Sequence, residues 1–176
     1  MDLLDFEAQG LYFEEPDVAG VKELIATAAE NYADGDAEQP LLKAYALAPE
    51  SLNVLVALNR FYYYQHRLDD ALAVTTKALA VIRPLVAFPE NWRLLELGHI
   101  TDTPAELLTQ VRLYLFTLKA IGFLNMRLEN LDLSQAIFEK LVSLDSKDRI
   151  GALGLLELVI KRKGDGNSMS VNELAR

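Results

Sequence analysis

The chain has 176 residues, of which 51% are hydrophobic and 24% are charged, a composition typical of a single globular domain. Its formal net charge of −9 argues against nucleic acid or an anionic membrane as the main partner, because both attract cationic surfaces. The absence of cysteine excludes disulfides, thiolate metal sites and cysteine catalysis. The acidic first residues do not have the pattern of a secretory signal, so we expect a cytoplasmic protein.

The acidity is concentrated in the first 50 residues, which hold twelve acidic and two basic residues. Residues 51–176 hold fourteen acidic and fifteen basic residues and are nearly neutral. Residues 1–16 form an acidic arm that also carries a short apolar cluster. Two interpretations remain open: a solvated acidic surface that keeps the protein soluble, or an arm that docks on a partner or on the protein itself.

Two helices are predicted in the region that follows this arm. The first should begin at Asp17 and cover residues 18–32, because apolar residues recur there with the i, i+3, i+4, i+7 spacing. Residues 33–36 predict a turn that ends in the N-cap of a second helix over residues 37–46. Pro40 is compatible with that helix because it lies in the first turn.

The clearest helix pair spans residues 51–84. Ser51 is the expected N-cap of the third helix, and His66-Arg67 marks the turn. A fourth helix should run from Leu68 to about Ile82 and stop at Arg83-Pro84. The inward-facing residues are predicted to be Leu55, Leu58 and Tyr62 in the third helix and Ala71, Ala78 and Leu79 in the fourth.

The next stretch, residues 85–103, is predicted to be irregular, with a short helix from Pro89 that ends near Gly98. The run Thr103-Pro104-Ala105-Glu106 predicts a helix start with a capping box. Nothing interrupts the helical pattern from there to Asn130, which indicates a helix of roughly 25 residues.

Two further helices are predicted, over residues 131–144 and 149–163. The Gly-rich residues 164–167 should end the last one, which leaves residues 164–176 as a C-terminal tail. No run alternates apolar and polar residues as a strand does. The predicted fold class is therefore all-α, with about eight helices.

Two of these helix pairs each match part of the residue pattern, about 34 residues long, that marks a tetratricopeptide repeat, and each keeps small residues that the other loses. Residues 52–85 and 115–148 both resemble this repeat, residues 18–51 resemble it weakly, and residues 149–163 resemble its first half. The matching residues are Leu55, Leu58-Asn59, Tyr62, Ala71, Thr75 and Ala78 in one pair and Leu118, Ile121-Gly122, Asn125, Ser134, Phe138 and Leu141 in the other.

This resemblance implies a single domain over residues 17–163, built as a right-handed superhelix of antiparallel helix pairs and interrupted around residues 85–103. It also implies that partners bind on the concave face made by the first helix of each pair. The residues carried over to that face are Asn53, Val56, Arg60, Tyr63, Tyr64, Phe116, Lys119, Phe123, Met126, Arg127 and Lys161, with Glu157 and Ile160 beside them.

No motif indicates catalysis, a metal or a cofactor: His66 and His99 have no ligand-spaced companion, and no phosphate-binding loop is present. We expect a non-enzymatic adaptor, assembly factor or chaperone that binds an apolar, partly acidic protein or peptide and neither nucleic acid nor membrane. The alternatives are a self-associating structural protein, such as a homodimer, or a relative of the secretion chaperones for membrane-translocator proteins (class II, type III secretion). Some face residues, Tyr63 and Phe123 first, would under another interpretation only pack against neighbouring helices.

Overall fold

The computed structural model describes residues 18–31 and 36–173, with side chains up to residue 165. In these residues the regular structure is helical and no strand is present, which confirms the all-α prediction. The acidic arm over residues 1–16, the predicted cap Asp17, residues 33–35 of the predicted turn and residues 174–176 lie outside the described part.

The described residues form eight α-helices and two short 3₁₀ turns. The helices are α1 (Val21–Glu30), α2 (Glu38–Leu47), α3 (Leu52–Tyr64), α4 (Leu68–Leu85), α5 (Leu97–Thr101), α6 (Leu108–Arg127), α7 (Leu131–Leu144) and α8 (Leu153–Glu173). The 3₁₀ turns are Trp92–Leu94 and Ala105–Leu107.

In the first half of the chain, the predicted helix start is correct where a side chain caps the helix. The Ser51 hydroxyl accepts a hydrogen bond from the Val54 amide at 3.3 Å, which confirms Ser51 as the N-cap of α3. The helix α1 begins after Gly20, whose φ is +85°. The predicted N-cap at Asp36 is wrong, because Ala37 occupies the N-cap position of α2 and no side chain caps it.

The end of α4 was predicted too early. The helix continues through Pro84 to Leu85 instead of stopping at Ile82. A proline removes one backbone hydrogen bond, and in the last turn of a helix few bonds beyond it can be disrupted. The helical path ends when Ala87 adopts a φ of +53°.

The stretch between α4 and α6 is irregular, as predicted, but its short helix is shifted. Gly98 lies inside α5 and does not end it, because the Glu96 amide donates to His99 Nδ1 at 3.1 Å and caps the helix start. The capping box expected at Thr103 is also wrong: the Thr103 hydroxyl donates to the His99 carbonyl at 2.7 Å. A 3₁₀ turn therefore precedes α6, which has 20 residues.

The last helix also differs from the prediction. It begins at Leu153, after a loop in which the Asp148 carboxylate accepts hydrogen bonds from the amides of Ala152 at 2.7 Å and Leu153 at 3.1 Å. The helix then passes through the glycine-rich stretch 164–167 and reaches Glu173. Glycine lowers helix propensity by about 1 kcal/mol per residue but leaves the helical backbone accessible, so a tail starting at residue 164 is wrong.

Two helix pairs follow the same pattern 63 residues apart. Tyr64 ends α3 as Arg127 ends α6, and Leu68 begins α4 as Leu131 begins α7. The turn between the helices has positive φ at equivalent residues in both pairs: His66 at 58° and Glu129 at 62°. The helix pairing inferred from the sequence is thus present in the structure.

The long connection does not separate the two pairs, because α4 packs directly against α6. The connection lies beside them and contributes Phe88 and Leu95, both buried, to the same core. The ring of Phe88 meets that of Tyr114 edge-on, with centroids 5.0 Å apart. The pairs therefore stay in contact across the insertion.

One segment among the described residues, Ala105–Arg127, is long and apolar enough to cross a membrane by length and composition. Its most apolar window is 61% buried inside the protein. Within the described residues this feature is explained by packing against α4 and α7.

Candidate protein-binding face

The candidate face comprises α3 and α6, the first helices of the two matching pairs, together with α8, which follows α7. The rings of Tyr63 on α3 and Phe123 on α6 lie with their centroids 6.1 Å apart. The guanidinium of Arg162 on α8 donates to the carbonyl of Met126 on α6 at 3.2 Å. The three helices are therefore neighbours in the order in which they occur along the chain.

Four of the predicted face residues are exposed to solvent. They are Arg60 and Tyr64 on α3, Arg127 at the end of α6 and Lys161 on α8. Tyr64 is 44% exposed and meets the ring of Tyr63 edge-on at 5.5 Å between centroids. We call these four residues together with the half-buried Phe123 the first-helix face.

Five of the predicted residues are half-buried, and their side chains contribute to packing as well as to the surface. Tyr63 and Phe123 contact each other, so they join α3 to α6. Phe116 lies beneath two cations, the Arg112 guanidinium at 5.4 Å and the Lys119 amine at 4.8 Å from the ring centroid. The half-buried residues are Asn53, Val56, Tyr63, Phe116 and Phe123.

Two of the predicted face residues, Lys119 and Met126, are wrong as surface residues. Met126 is 2% exposed and belongs to the core. Lys119 is 6% exposed, and its amine donates to the Ile150 carbonyl at 2.5 Å. The loop before α8 supplies the Ile150 carbonyl to the Lys119 amine, and Arg162 on α8 donates to the Met126 carbonyl, contacts that a periodicity argument does not foresee.

Lys119 is a buried cation whose nearest partners are not carboxylates. Burial lowers the pKa of its amine below the usual value, and the Asp148 carboxylate acts weakly in the opposite direction. The hydrogen bond to Ile150 ties α6 to the loop that starts α8. We assign Lys119 a role in positioning α8.

The interiors of the two matching helix pairs are filled in complementary ways. In the first pair the amide of Asn59 donates to the Ala71 carbonyl at 3.3 Å and to the hydroxyl of Thr75. In the second pair Gly122 takes the place of Asn59, and Phe138 takes the place of Thr75.

The larger side chain of each contact is therefore on the first helix in one pair, where Asn59 meets Thr75, and on the second helix in the other, where Phe138 meets Gly122. Ser134 donates its hydroxyl to the Gly122 carbonyl at 2.8 Å, and Phe138 fills the space that Asn59 fills in the first pair. A Cβ on Gly122 would lie 2.8 Å from Phe138 Cε1. The sequence shows these residues at repeat positions but not that their volumes compensate.

Ion pairs hold neighbouring helix pairs together at their turns. The Arg67 guanidinium contacts Glu38 at 2.6 Å and Asp70 at 2.7 Å and lies 4.5 Å above the centroid of the Tyr62 ring. Both carboxylates raise the pKa of Arg67 further above its already high value. These side chains are between 33% and 49% exposed, so solvent screens each ion pair, which contributes little stability and mainly fixes geometry.

A similar set of contacts attaches α8 to the turn between α6 and α7. The Arg162 guanidinium pairs with Glu129, and the Lys163 amine contacts Asp132 at 2.6 Å and Gln135 at 2.7 Å. These contacts place Lys161 on the opposite, exposed side of α8. Lys161 therefore lies on a helix whose orientation is set by its neighbours.

The described residues contain no group of three or more His, Asp or Glu side chains able to hold a metal ion. His99 serves as an acceptor at the start of α5, and His66 occupies the turn between α3 and α4. A shallow surface depression of about 320 Å³ lies against α7, between Trp92 and Lys140, and the Lys140 amine there donates to the Leu95 carbonyl at 3.1 Å.

The comparisons with known proteins identify a relative. The chain is 42% identical over 165 residues to an uncharacterized 19.8 kDa protein in the nifW 5′ region of Azotobacter chroococcum mcd 1, which covers 94% of this chain and 92% of the relative. The chain belongs to the same family as that protein. No family model and no solved structure matches it.

Proposed function

We propose that this member of the family is a non-catalytic binding protein of the cytoplasm that takes up a protein or peptide on a concave groove. In this proposal the helix pairs continue as a right-handed superhelix similar to that of tetratricopeptide repeat proteins. The observation that carries the proposal is the agreement of two helix pairs 63 residues apart in their helix ends, turns and buried positions. Equivalent residues Leu55 and Leu118 are both fully buried.

The same register supports a groove that spans several helices. Positions equivalent to Arg60 on α3 are Phe123 on α6 and Glu157 on α8, and positions equivalent to Tyr64 are Arg127 and Lys161. In the superhelical arrangement these residues form two adjacent rows on the concave side. The rows combine aromatic surface with a surplus of positive charge, which suits a partner that presents apolar and acidic side chains.

The proposed role is that of an adaptor, assembly factor or chaperone for a larger complex. The name of the relative locates it next to nifW, which makes the nifW product the first candidate partner to test. Other partners would be found by affinity capture from the native organism followed by mass spectrometry.

The test is capture of partner by the full chain and by variants of the first-helix face. Arg60→Glu combined with Tyr64→Ala should abolish capture, since it removes a charge and an aromatic ring that the proposed contact needs. Lys43→Glu is the matched control, because Lys43 is an exposed cation on the second helix of its pair. Helical circular dichroism should be the same for all three proteins, and unchanged capture by the double variant would reject this groove.

One observation favours a second candidate function, self-association. Leu153 and Ile160 on α8 are 44% and 50% exposed, whereas the equivalent residues of α6, Lys119 and Met126, are 6% and 2% exposed. The last described helix thus presents apolar residues to solvent at positions whose equivalents in α6 are buried. Light scattering of the purified chain distinguishes the candidates, because a monomer at all concentrations would count against self-association.

A further inference from the structure

We propose that residues 1–16 of this chain bind to the first-helix face of the same molecule and must be displaced before a partner can bind. The inference rests on the groove proposed above and concerns its regulation. It commits to one occupant, an acidic and apolar segment of the chain itself.

The first argument is charge complementarity. Residues 1–16 contain five acidic residues and no basic residue. The first-helix face contributes three exposed cations, Arg60, Arg127 and Lys161, and Glu157 is the exposed acid next to them. Charges of opposite sign thus face each other if the segment lies on this surface. Residues 17–50 are also acidic, so their charges would repel the segment.

The second argument is apolar complementarity. The face carries the exposed ring of Tyr64 and the half-buried ring of Phe123, and the neighbouring ring of Tyr63 contacts both, an aromatic surface of the type that anchors peptides. The segment intersperses its acids with apolar and aromatic residues, which can pack against aromatic rings. These are Leu3, Leu4, Phe6, Leu11, Tyr12 and Phe13.

The third argument is reach. The segment leads into α1, and α1 contacts α3 directly. Neighbouring helices lie about 8–10 Å apart. The three steps from α1 through α3 and α6 to α8 therefore cover roughly 30 Å. Sixteen extended residues can span about 50 Å, which is sufficient to cross the face.

Covalent attachment makes even weak binding effective. A short tether gives an effective concentration in the millimolar range. If the free segment bound with a Kd of about 0.1 mM, it would then occupy the face in roughly nine molecules out of ten. An external ligand for the same face would bind about tenfold more weakly than to a face without this competitor.

The experiment uses the full chain and a labelled synthetic peptide of residues 1–16 as the probe, with binding followed by fluorescence anisotropy. Wild type is compared with a full-length chain in which the five acids of the segment are neutralised. The substitutions are Asp2→Asn, Asp5→Asn, Glu7→Gln, Glu14→Gln and Glu15→Gln. We expect saturable binding to the neutralised chain, about tenfold tighter than to wild type and weakened by salt.

The site is tested by adding Arg60→Glu and Arg127→Glu to the neutralised chain, which should weaken peptide binding about tenfold or more. Lys43→Glu in the same background is the matched control and should leave binding unchanged. Circular dichroism verifies that each variant is folded.

Three results would overturn the inference: no binding to the neutralised chain, equal binding to wild type and neutralised chain, or equal loss with the Lys43 control. A wild-type dimer that becomes a monomer on neutralisation would show that the segment binds a second copy, which also contradicts an intramolecular contact. The titration contains no partner protein, so its failure is distinguishable from a failure of the proposed function.

Discussion

Substituting Gly122 by alanine tests the close contact between α6 and α7. The added Cβ would lie 2.8 Å from Phe138 Cε1 and 2.9 Å from Ile137 Cγ2, whereas carbon atoms in good contact are about 3.5–4.0 Å apart. The neighbours are fully buried side chains with little room to shift. We therefore expect an overpacking cost of about 1–3 kcal/mol, which for a chain of this size lowers Tm by roughly 2–12 °C.

Alanine also favours the helix by about 1 kcal/mol relative to glycine, and this gain must be separated from the packing cost. Gly154 provides the matched control, because it lies in α8 with no atom within 4 Å of an added Cβ. Thermal unfolding followed by circular dichroism should give a lower Tm for Gly122→Ala than for Gly154→Ala.

A second variant identifies the residue responsible for the clash. Phe138→Leu removes the ring that meets the new Cβ and should reduce the cost of Gly122→Ala, with a coupling free energy of about 0.5–3 kcal/mol in a double-mutant cycle. If Gly122→Ala melts at or above the temperature of Gly154→Ala, the close approach of α6 to α7 is refuted. Additive effects of the two substitutions would refute Phe138 as the contact.

Two further substitutions probe other parts of the core. Ala71→Arg should cost about 1–3 kcal/mol or more, because Ala71 is fully buried where α3 meets α4; the exposed Ala73→Arg is its control, and equal melting temperatures for the two would show that the phase of the repeat is wrong. Lys119→Met removes a buried amine whose pKa is lowered in the folded state. The unfolded chain binds more protons than the folded one between that lowered pKa and the usual 10.5, so wild type should gain free energy of unfolding relative to the variant as pH rises through this window. A difference that does not change with pH in chemical denaturation would contradict the assigned burial of the amine.

Local sequence features determined the helices and much of the core. Apolar spacing identified Leu55, Leu58 and Tyr62 as the inner side of α3, and all three are buried. Helix periodicity and the Ser51 cap act within a few residues, so they can be read without knowledge of neighbouring helices. The turn at His66 could likewise be predicted from the local sequence.

The irregular connection and the candidate face needed the tertiary structure. Thr103 carries a strong capping signal, yet its hydroxyl donates to the His99 carbonyl. That carbonyl competes with the expected capping bond because α5 places it close to Thr103. Lys119 and Met126 occupy the repeat positions of surface residues but are only 6% and 2% exposed, and the Lys119 amine donates to the Ile150 carbonyl in the loop before α8.

The sequence by itself determined which residues share a helix face, since that depends only on the helical period. Only the tertiary contacts of each helix decided which of those residues remain exposed. Arg60, Tyr64, Arg127 and Lys161 are exposed to solvent, whereas Lys119 lies where the loop before α8 supplies a carbonyl for its amine. Whether a residue is exposed depends on its own helix and on whatever packs against that helix. The spacing of residues along one helix specifies only which way they face.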